Sequence, residues 1–265
     1  MSRPEVSDLL RVAHRLADAA AACTLPLFRT ELRIDNKDDG GFDPVTAADR
    51  AAERAMREVL ADLRPDDAIL GEEEGVQEGR SGLTWVLDPI DGTRAFMAGA
   101  PTWGTLIACG PTDGAPFLGI VDQPHIGERF AGAQGTARLT GRFERDLRTR
   151  RVGGLSNAVL FTTFPEIGSS EERSAFADVA AQARLTRYGF DCYAYALLAL
   201  GQVDLVIEAG LNPYDIQAPL ALIEAAGGLV TDWRGGPAHG GGRVLAAGCP
   251  AVHAEALAIL GGRVA

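Results

Sequence analysis

The sequence predicts an α/β protein whose two halves are built differently. Two helical runs and then a series of short apolar strands fill the first half. Strands and helices alternate in the second, and acidic residues recur where one element hands over to the next. Leu9, Leu10, Val12, Ala13, Leu16, Ala17 and Ala20 recur at helical spacing and predict an amphipathic helix. A polar stretch from Asp35 to Gly41 follows, and then Asp43-Pro44-Val45-Thr46. Thr46 stands where an N-cap is needed for a second helix, with Ala51, Ala52, Ala55, Met56, Val59 and Leu60 on one side. Strands are expected at 68–70, 84–87, 105–109 and 117–121. A hairpin of 130–133 with 137–139 is expected around Gly135.

The arginine-rich stretch from about Gly141 to Arg151 is the best candidate for a junction, dividing the chain into 1–145, an α+β half, and 146–265, an α/β half. Beyond it, Ser169 or Ser170 caps a helix running to about Ala183, and a second helix covers 192–200. A strand at 203–207, a helix at 215–226, strands at 229–231 and 243–247, and a closing helix at 251–260 complete the reading.

Composition narrows the function. The chain has 265 residues, 46% of them hydrophobic, enough for one large core or two modest ones. No run approaches the roughly 20 apolar residues of a membrane span, and Glu5 and Asp8 interrupt any export signal, so a soluble, cytoplasmic protein with no membrane partner is expected. Four scattered cysteines and four scattered histidines give no zinc pattern, which leaves carboxylates for a hard cation. A net charge of −11 argues against nucleic acid as a partner and favours a substrate carrying positive charge.

The densest chemistry lies in Trp85-Val86-Leu87-Asp88-Pro89-Ile90-Asp91-Gly92-Thr93. Its first residues read as the end of a buried strand, Pro89 as the stop of the ladder and Gly92 as a tight turn into a short helix opened by Thr93 and Arg94. Asp88 and Asp91 then face the cleft at the strand end, beside free N–H groups suited to a phosphate. Asp-Pro and Asp-Gly also make ordinary turns, and Asp91 also fits a plain capping role.

Other acids share this placement. Glu72 follows the strand at 68–70, with Glu73 and Glu74 reading as solvated neighbours. Asp215 starts a helix, where the dipole favours a carboxylate in any case. Asp49 falls at a capping-box-like position after Thr46. Acids at element ends are where α/β proteins build sites, and their convergence demands neutralising cations.

Asp43 to Asp49, Gly71-Glu72-Glu73, Trp85 to Thr93, and Pro213-Tyr214-Asp215 with Ala225-Ala226-Gly227-Gly228 resemble the signatures of the inositol-monophosphatase family, in the family's order. Gly92 to Phe96, Trp103 to Ala108 and Arg187 to Tyr195 are similar to its histidinol-phosphate phosphatase branch. The resemblance implies a layered α-β-α-β-α sandwich, commonly dimeric, with a magnesium- and phosphate-binding first half and a substrate-completing second half. It implies two to three Mg2+ ions held by Glu72, Asp88, Asp91, Asp215 and the carbonyl of Ile90. Asp49 and Thr93 would position or deprotonate the attacking water, with Glu72 beside them, and the Gly92 and Thr93 amides would hold phosphate oxygens.

The reaction so implied is direct attack of an activated water on a small phosphate monoester, with no phosphoenzyme. Histidinol phosphate carries an ammonium and an imidazole, so its site should hold extra carboxylate. Asp191 and Glu208 are the candidates, Glu208 because the family places a substrate-contacting glutamate at that distance before Asp215, where Asp215 also faces the substrate. Asp191 fits the N-cap of its helix as well. Arg94, Arg187, Trp103 and Lys37 fit site roles and ordinary surface or core roles equally. The rivals are an inositol-, sugar- or nucleotide-phosphate phosphatase of the same family, and a non-catalytic regulator that keeps the fold.

Overall fold

Trp85 and Leu87 pack toward one side of their strand and Val86 toward the other, and this alternation sets the order of layers. The computed structural model describes residues 5–30, 34–36 and 44–263. Lys37, Asp43 and the side chain of Thr46 lie outside the described residues. In chain order the elements are α1 (Val6–Thr24), β1 (Ile34–Asn36), β2 (Pro44–Thr46), α2 (Ala47–Leu63), β3 (Ala68–Gly71), β4 (Gly75–Gln77), β5 (Leu83–Asp91) and α3 (Thr93–Met97). Then come β6 (Gly104–Pro111), β7 (Leu118–Gln123), β8 (Glu128–Ala133), β9 (Thr136–Gly141), β10 (Arg145–Asp146), β11 (Val159–Thr162), α4 (Ser170–Ala180) and β12 (Leu185–Tyr188). The chain closes with α5 (Asp191–Ala199), β13 (Leu205–Leu211), α6 (Pro213–Ala225), β14 (Leu229–Thr231), β15 (Gly242–Ala247) and α7 (Pro250–Gly261).

Eight strands form the larger sheet, in the order β10-β9-β8-β7-β6-β5-β3-β4, antiparallel except where β3 runs parallel to β5. Five form the smaller, β12-β11-β13-β15-β14, in which β11 is parallel to both its neighbours. Leu9, Leu16 and Ala20 of α1 and Met56 and Leu60 of α2 cover one face of the large sheet, against Trp85, Leu87, Ile107 and Ile120. Its other face, with Val86, Leu106, Val121 and Phe130, meets α5 and α6, and these helices also pack on Phe161, Val206 and Val244 of the small sheet. Phe176 and Val179 of α4 and Val252, Ala256 and Leu260 of α7 close the far side. The fold is the layered α-β-α-β-α sandwich, and one core joins both sheets through α5 and α6.

Local chemistry explains the agreement of most elements with the sequence reading. The Ser169 hydroxyl accepts from Glu172 N while Glu172 returns a bond to Ser169 N, a capping box that starts α4. Gln134 and Gly135 both have positive φ (47° and 77°), the primed turn that joins β8 to β9. Two expectations are corrected. α4 stops at Ala180 rather than Ala183. β5 runs through Pro89 to Asp91 rather than ending at Leu87, because the chain bulges there and Pro89 sits where no ladder N–H is required. β4, β11 and β12 are strands the apolar pattern did not single out.

Candidate active site

The bulge in β5 is the first part of the site. Pairing with β6 shifts register between Asp88 opposite Leu106 and Asp91 opposite Gly104, and Thr105 Oγ1 donates to the Pro89 carbonyl at 2.8 Å. Gly92 follows with φ of 85°, and a Cβ there would meet the Asp191 carboxylate carbon at 2.9 Å. Only glycine satisfies both constraints. The turn brings Asp88 and Asp91 to the same cavity as Glu72, which follows β3, and Asp215, in the first turn of α6. This cavity, of ≈ 330 Å³, is also lined by Gly92, Thr93, Asp191, Tyr195 and Glu208.

Backbone amides hold two of these carboxylates. Cys192 N, at the start of α5, donates to Asp91 Oδ2 at 2.6 Å, and Asn212 N donates to Asp215 Oδ2 at 2.7 Å. One oxygen of each is thereby tied, which sets the side-chain rotamer. Oxygens of Asp88, Asp91 and Asp215 lie within 4.8 Å of one another. Asp88 is 1% exposed and its Oδ1 has no hydrogen-bond partner.

Burial, with like charges beside it for Asp88 and Asp91, shifts three of these acids upward. Burial pushes Asp88 well above the usual carboxylate range, and the charges of Glu72, Asp91, Asp215 and Asp49 push it further. Asp91 is raised by burial and then by Asp191 and Asp215. Burial lifts Asp215 to about 6. A buried, partnerless carboxylate oxygen among like charges fits a hard divalent cation, which prefers all-oxygen ligands.

Asp49 sits 1% exposed in the first turn of α2, close enough for its charge to act on Asp88. Thr93 Oγ1 donates to the Ile90 carbonyl at 3.1 Å, and that carbonyl keeps a second lone pair for a ligand.

Asp191 and Glu208 line the same cavity. Asp191 is the first residue of α5 with φ of 45°, a left-handed backbone uncommon for a residue with a Cβ. Phe190 is the N-cap, so the capping role that the sequence allowed for Asp191 is not the one it has. Instead it accepts from Thr102 Oγ1 at 3.3 Å and abuts Gly92. Burial raises it to about 6, against the pull of the Thr102 bond and of Arg94. Glu208 accepts from Thr163 N (2.6 Å), Thr163 Oγ1 (2.9 Å) and Thr162 Oγ1 (3.1 Å), and burial still lifts it to about 7.

The remaining candidates divide cleanly. Trp103 is fully buried with Phe28, Ile90 and Phe96, and is core. The Arg94 guanidinium lies over the ring of Phe164, itself a cavity residue, and Arg187 lies over Phe190. The sequence reading assigned no role to Tyr195, Thr102, Thr162 or Thr163. A phenol one helical turn beyond Asp191 was the signal available for the first. The threonines come from strands and loops whose approach no local pattern encodes.

A glycine turn, the acids that converge beside it and two further carboxylates thus line one cavity. The chain belongs to the inositol monophosphatase family, which it matches over residues 5–261. It is 45% identical to the bifunctional phosphatase IMPL2, chloroplastic, of Arabidopsis thaliana over 89% of this chain and 67% of that protein. It is 36% identical to a histidinol-phosphatase of Streptomyces coelicolor over 98% and 99% of the two chains. An inositol monophosphatase structure from Zymomonas mobilis superposes with a TM-score of 0.86 and 42% identity, covering 98% of this chain and all of that one. Among the described residues no helix is long and apolar enough to cross a membrane.

Proposed function

We propose that this chain is a magnesium-dependent phosphate monoester hydrolase whose substrate is L-histidinol phosphate. The observation that carries the substrate reading is Asp191. Its carboxylate is held on the Gly92 turn by Thr102, in a strained backbone conformation, and it adds a charge beyond those needed for cations. An ester with an ammonium and an imidazole complements that wall, whereas an inositol ring offers hydroxyls alone. The names of the histidinol-phosphatase relatives support the same choice.

In this reading Glu72, Asp88, Asp91, Asp215 and the Ile90 carbonyl hold the cations. When bound, Mg2+ ions supply charge neutralisation, water activation and leaving-oxygen stabilisation, the effects a very slow background hydrolysis requires. The Gly92 and Thr93 amides bind phosphate oxygens. Asp49, with Thr93, orients the attacking water and takes its proton as the ester P–O bond breaks in a single displacement. Glu208 and Asp191 bind the alcohol part. A homodimer acting on a small molecule in the cytoplasm completes the proposal.

Phosphate release from L-histidinol phosphate and from inositol 1-phosphate, measured side by side with Mg2+, tests it. The expected kcat/KM preference for histidinol phosphate is about 10²-fold or more, roughly 2.7 kcal/mol. No preference, or the reverse, rejects the substrate and returns the family's inositol-phosphate activity. Asp49→Asn should lower turnover by at least about 10²-fold, the usual scale for a general base. Near-normal turnover removes it from the mechanism.

A further inference from the structure

One buried polar group on the cavity wall has no role in the mechanism above. Tyr195 stands one helical turn after Asp191 on α5 and lines the same cavity. It is only 4% exposed, and its buried hydroxyl has no hydrogen-bond partner within the protein. Side chains on a helix lean toward its N-terminus, which directs this phenol to the end of α5 that carries Asp191 and the Cys192 amide. Glu208, Asp91, Asp215 and Cys192 line the same cavity as this phenol.

A phenylalanine would fill this space as well, without the cost of an unsatisfied hydroxyl in the interior. The hydroxyl is therefore informative about what enters the cavity. Asp88, Asp91, Asp191, Glu208 and Asp215 are acceptors when ionised. The nearby threonine hydroxyls are committed: Thr93 to the Ile90 carbonyl, Thr163 and Thr162 to Glu208, Thr102 to Asp191. The acid wall can greet the N–H and O–H groups of a leaving alcohol but not its lone pairs. Tyr195 is an uncommitted donor in that wall.

We infer that Tyr195 is a substrate-binding, specificity-determining residue whose hydroxyl donates a hydrogen bond to a lone pair on the leaving alcohol. It favours esters whose alcohol carries an acceptor atom near the ester carbon, such as an sp2 ring nitrogen or a hydroxyl oxygen. The inference deepens the phosphatase reading above and rests on it for the position of the ester.

Tyr195→Phe tests it, since the change removes one oxygen and keeps the packing. Turnover is measured on L-histidinol phosphate and on propyl phosphate, whose alcohol has no second polar atom, and L-histidinol binding is measured by calorimetry. The loss of kcat/KM on histidinol phosphate, expressed mainly in KM, should exceed the loss on propyl phosphate by about 5-fold, a typical hydrogen-bond effect. L-Histidinol should bind about 5-fold more weakly, and the metal-free variant should melt no lower than wild type.

Equal losses on both esters, unchanged L-histidinol binding, or a melting temperature lowered by several degrees overturns the inference, the last because it reveals a partner within the protein. Weaker L-histidinol binding by Tyr195→Phe, in a wild-type protein that releases no phosphate from either ester, upholds the inference and rejects the phosphatase reading. A wild-type protein that neither binds L-histidinol nor hydrolyses either ester overturns both.

Discussion

Two regions of this molecule bury acidic side chains, and they treat them in opposite ways. Where the larger sheet gives way to the smaller, Asp204 is 1% exposed and accepts from Arg150 Nε and Nη2 at 2.7 and 2.6 Å and from Val159 N at 2.7 Å. On α2, Glu53 is likewise satisfied by Arg57 Nε and the amides of Glu73 and Glu74. At the cavity, no described arginine forms an ion pair with Asp88, Asp91, Glu208 or Asp215. Backbone amides partner Asp91 and Asp215, Thr163 N and threonine hydroxyls partner Glu208, Asp88 Oδ1 has no partner, and all four pKa values rise. A buried acid with its own arginine is part of the architecture. A buried acid without one keeps its charge uncompensated until a cation arrives from solution.

Neutralising one acid from each region breaks or upholds that contrast, and this is the largest expected effect. Asp88→Asn should cut metal-dependent turnover by about 10³-fold, the scale of losing a group that organises transition-state charge. It should leave the metal-free protein at least as stable, because a repelled, unpaired carboxylate is gone. Asp204→Asn should do the reverse, costing about 2 kcal/mol of stability with turnover largely kept, since Arg150 and Val159 N lose a charged acceptor. Thermal melts of both metal-free variants check this. Equal destabilisation by the two would erase the distinction.

A smaller effect separates the acids within the cavity. Asp191 faces Gly92 and Thr102 rather than a backbone amide clamp, consistent with a role toward substrate instead of cation. Asp191→Asn should raise KM for L-histidinol phosphate by about 10-fold or more, the worth of a charge-assisted hydrogen bond. For inositol 1-phosphate the rise should be far smaller. An equal rise on both substrates would place Asp191 with the scaffold.

The contrast also explains what the sequence could disclose. Helical spacing located α1 and α2, and β3 and β6 announced themselves as short apolar runs, because burial on one face leaves a periodic trace. β12 escaped because its residues are mostly exposed. The acids of the site were legible as residues at element ends. Glu72 meets Asp88 because β3 pairs parallel to β5, and Asp215 joins them because α6 packs on the larger sheet, neither of which a local pattern encodes. The family resemblance carried that step. Pro89 misled because a proline reads as the end of a strand, whereas here it occupies a bulge that aims two carboxylates.

A last effect concerns pH, and Glu208 isolates it. Burial raises its folded pKa to about 7 from an ordinary value near 4.5. Between those values the folded protein holds a proton that the unfolded chain has released, so folding stability falls as pH rises across the window. The protonated form is fully stabilising below about 4.5, and the contribution is gone above about 7. Glu208→Gln keeps one acceptor oxygen for Thr163 N and Thr163 Oγ1, turns its amide nitrogen to donate to Thr162 Oγ1, and cannot ionise. The metal-free variant should therefore gain up to roughly 3 kcal/mol over wild type at pH 8, little at pH 5, and show a flatter stability–pH curve. Denaturant unfolding at the two pH values measures it. A gain that is equal at both would mean that packing, and not the uncompensated charge, sets the behaviour of this acid.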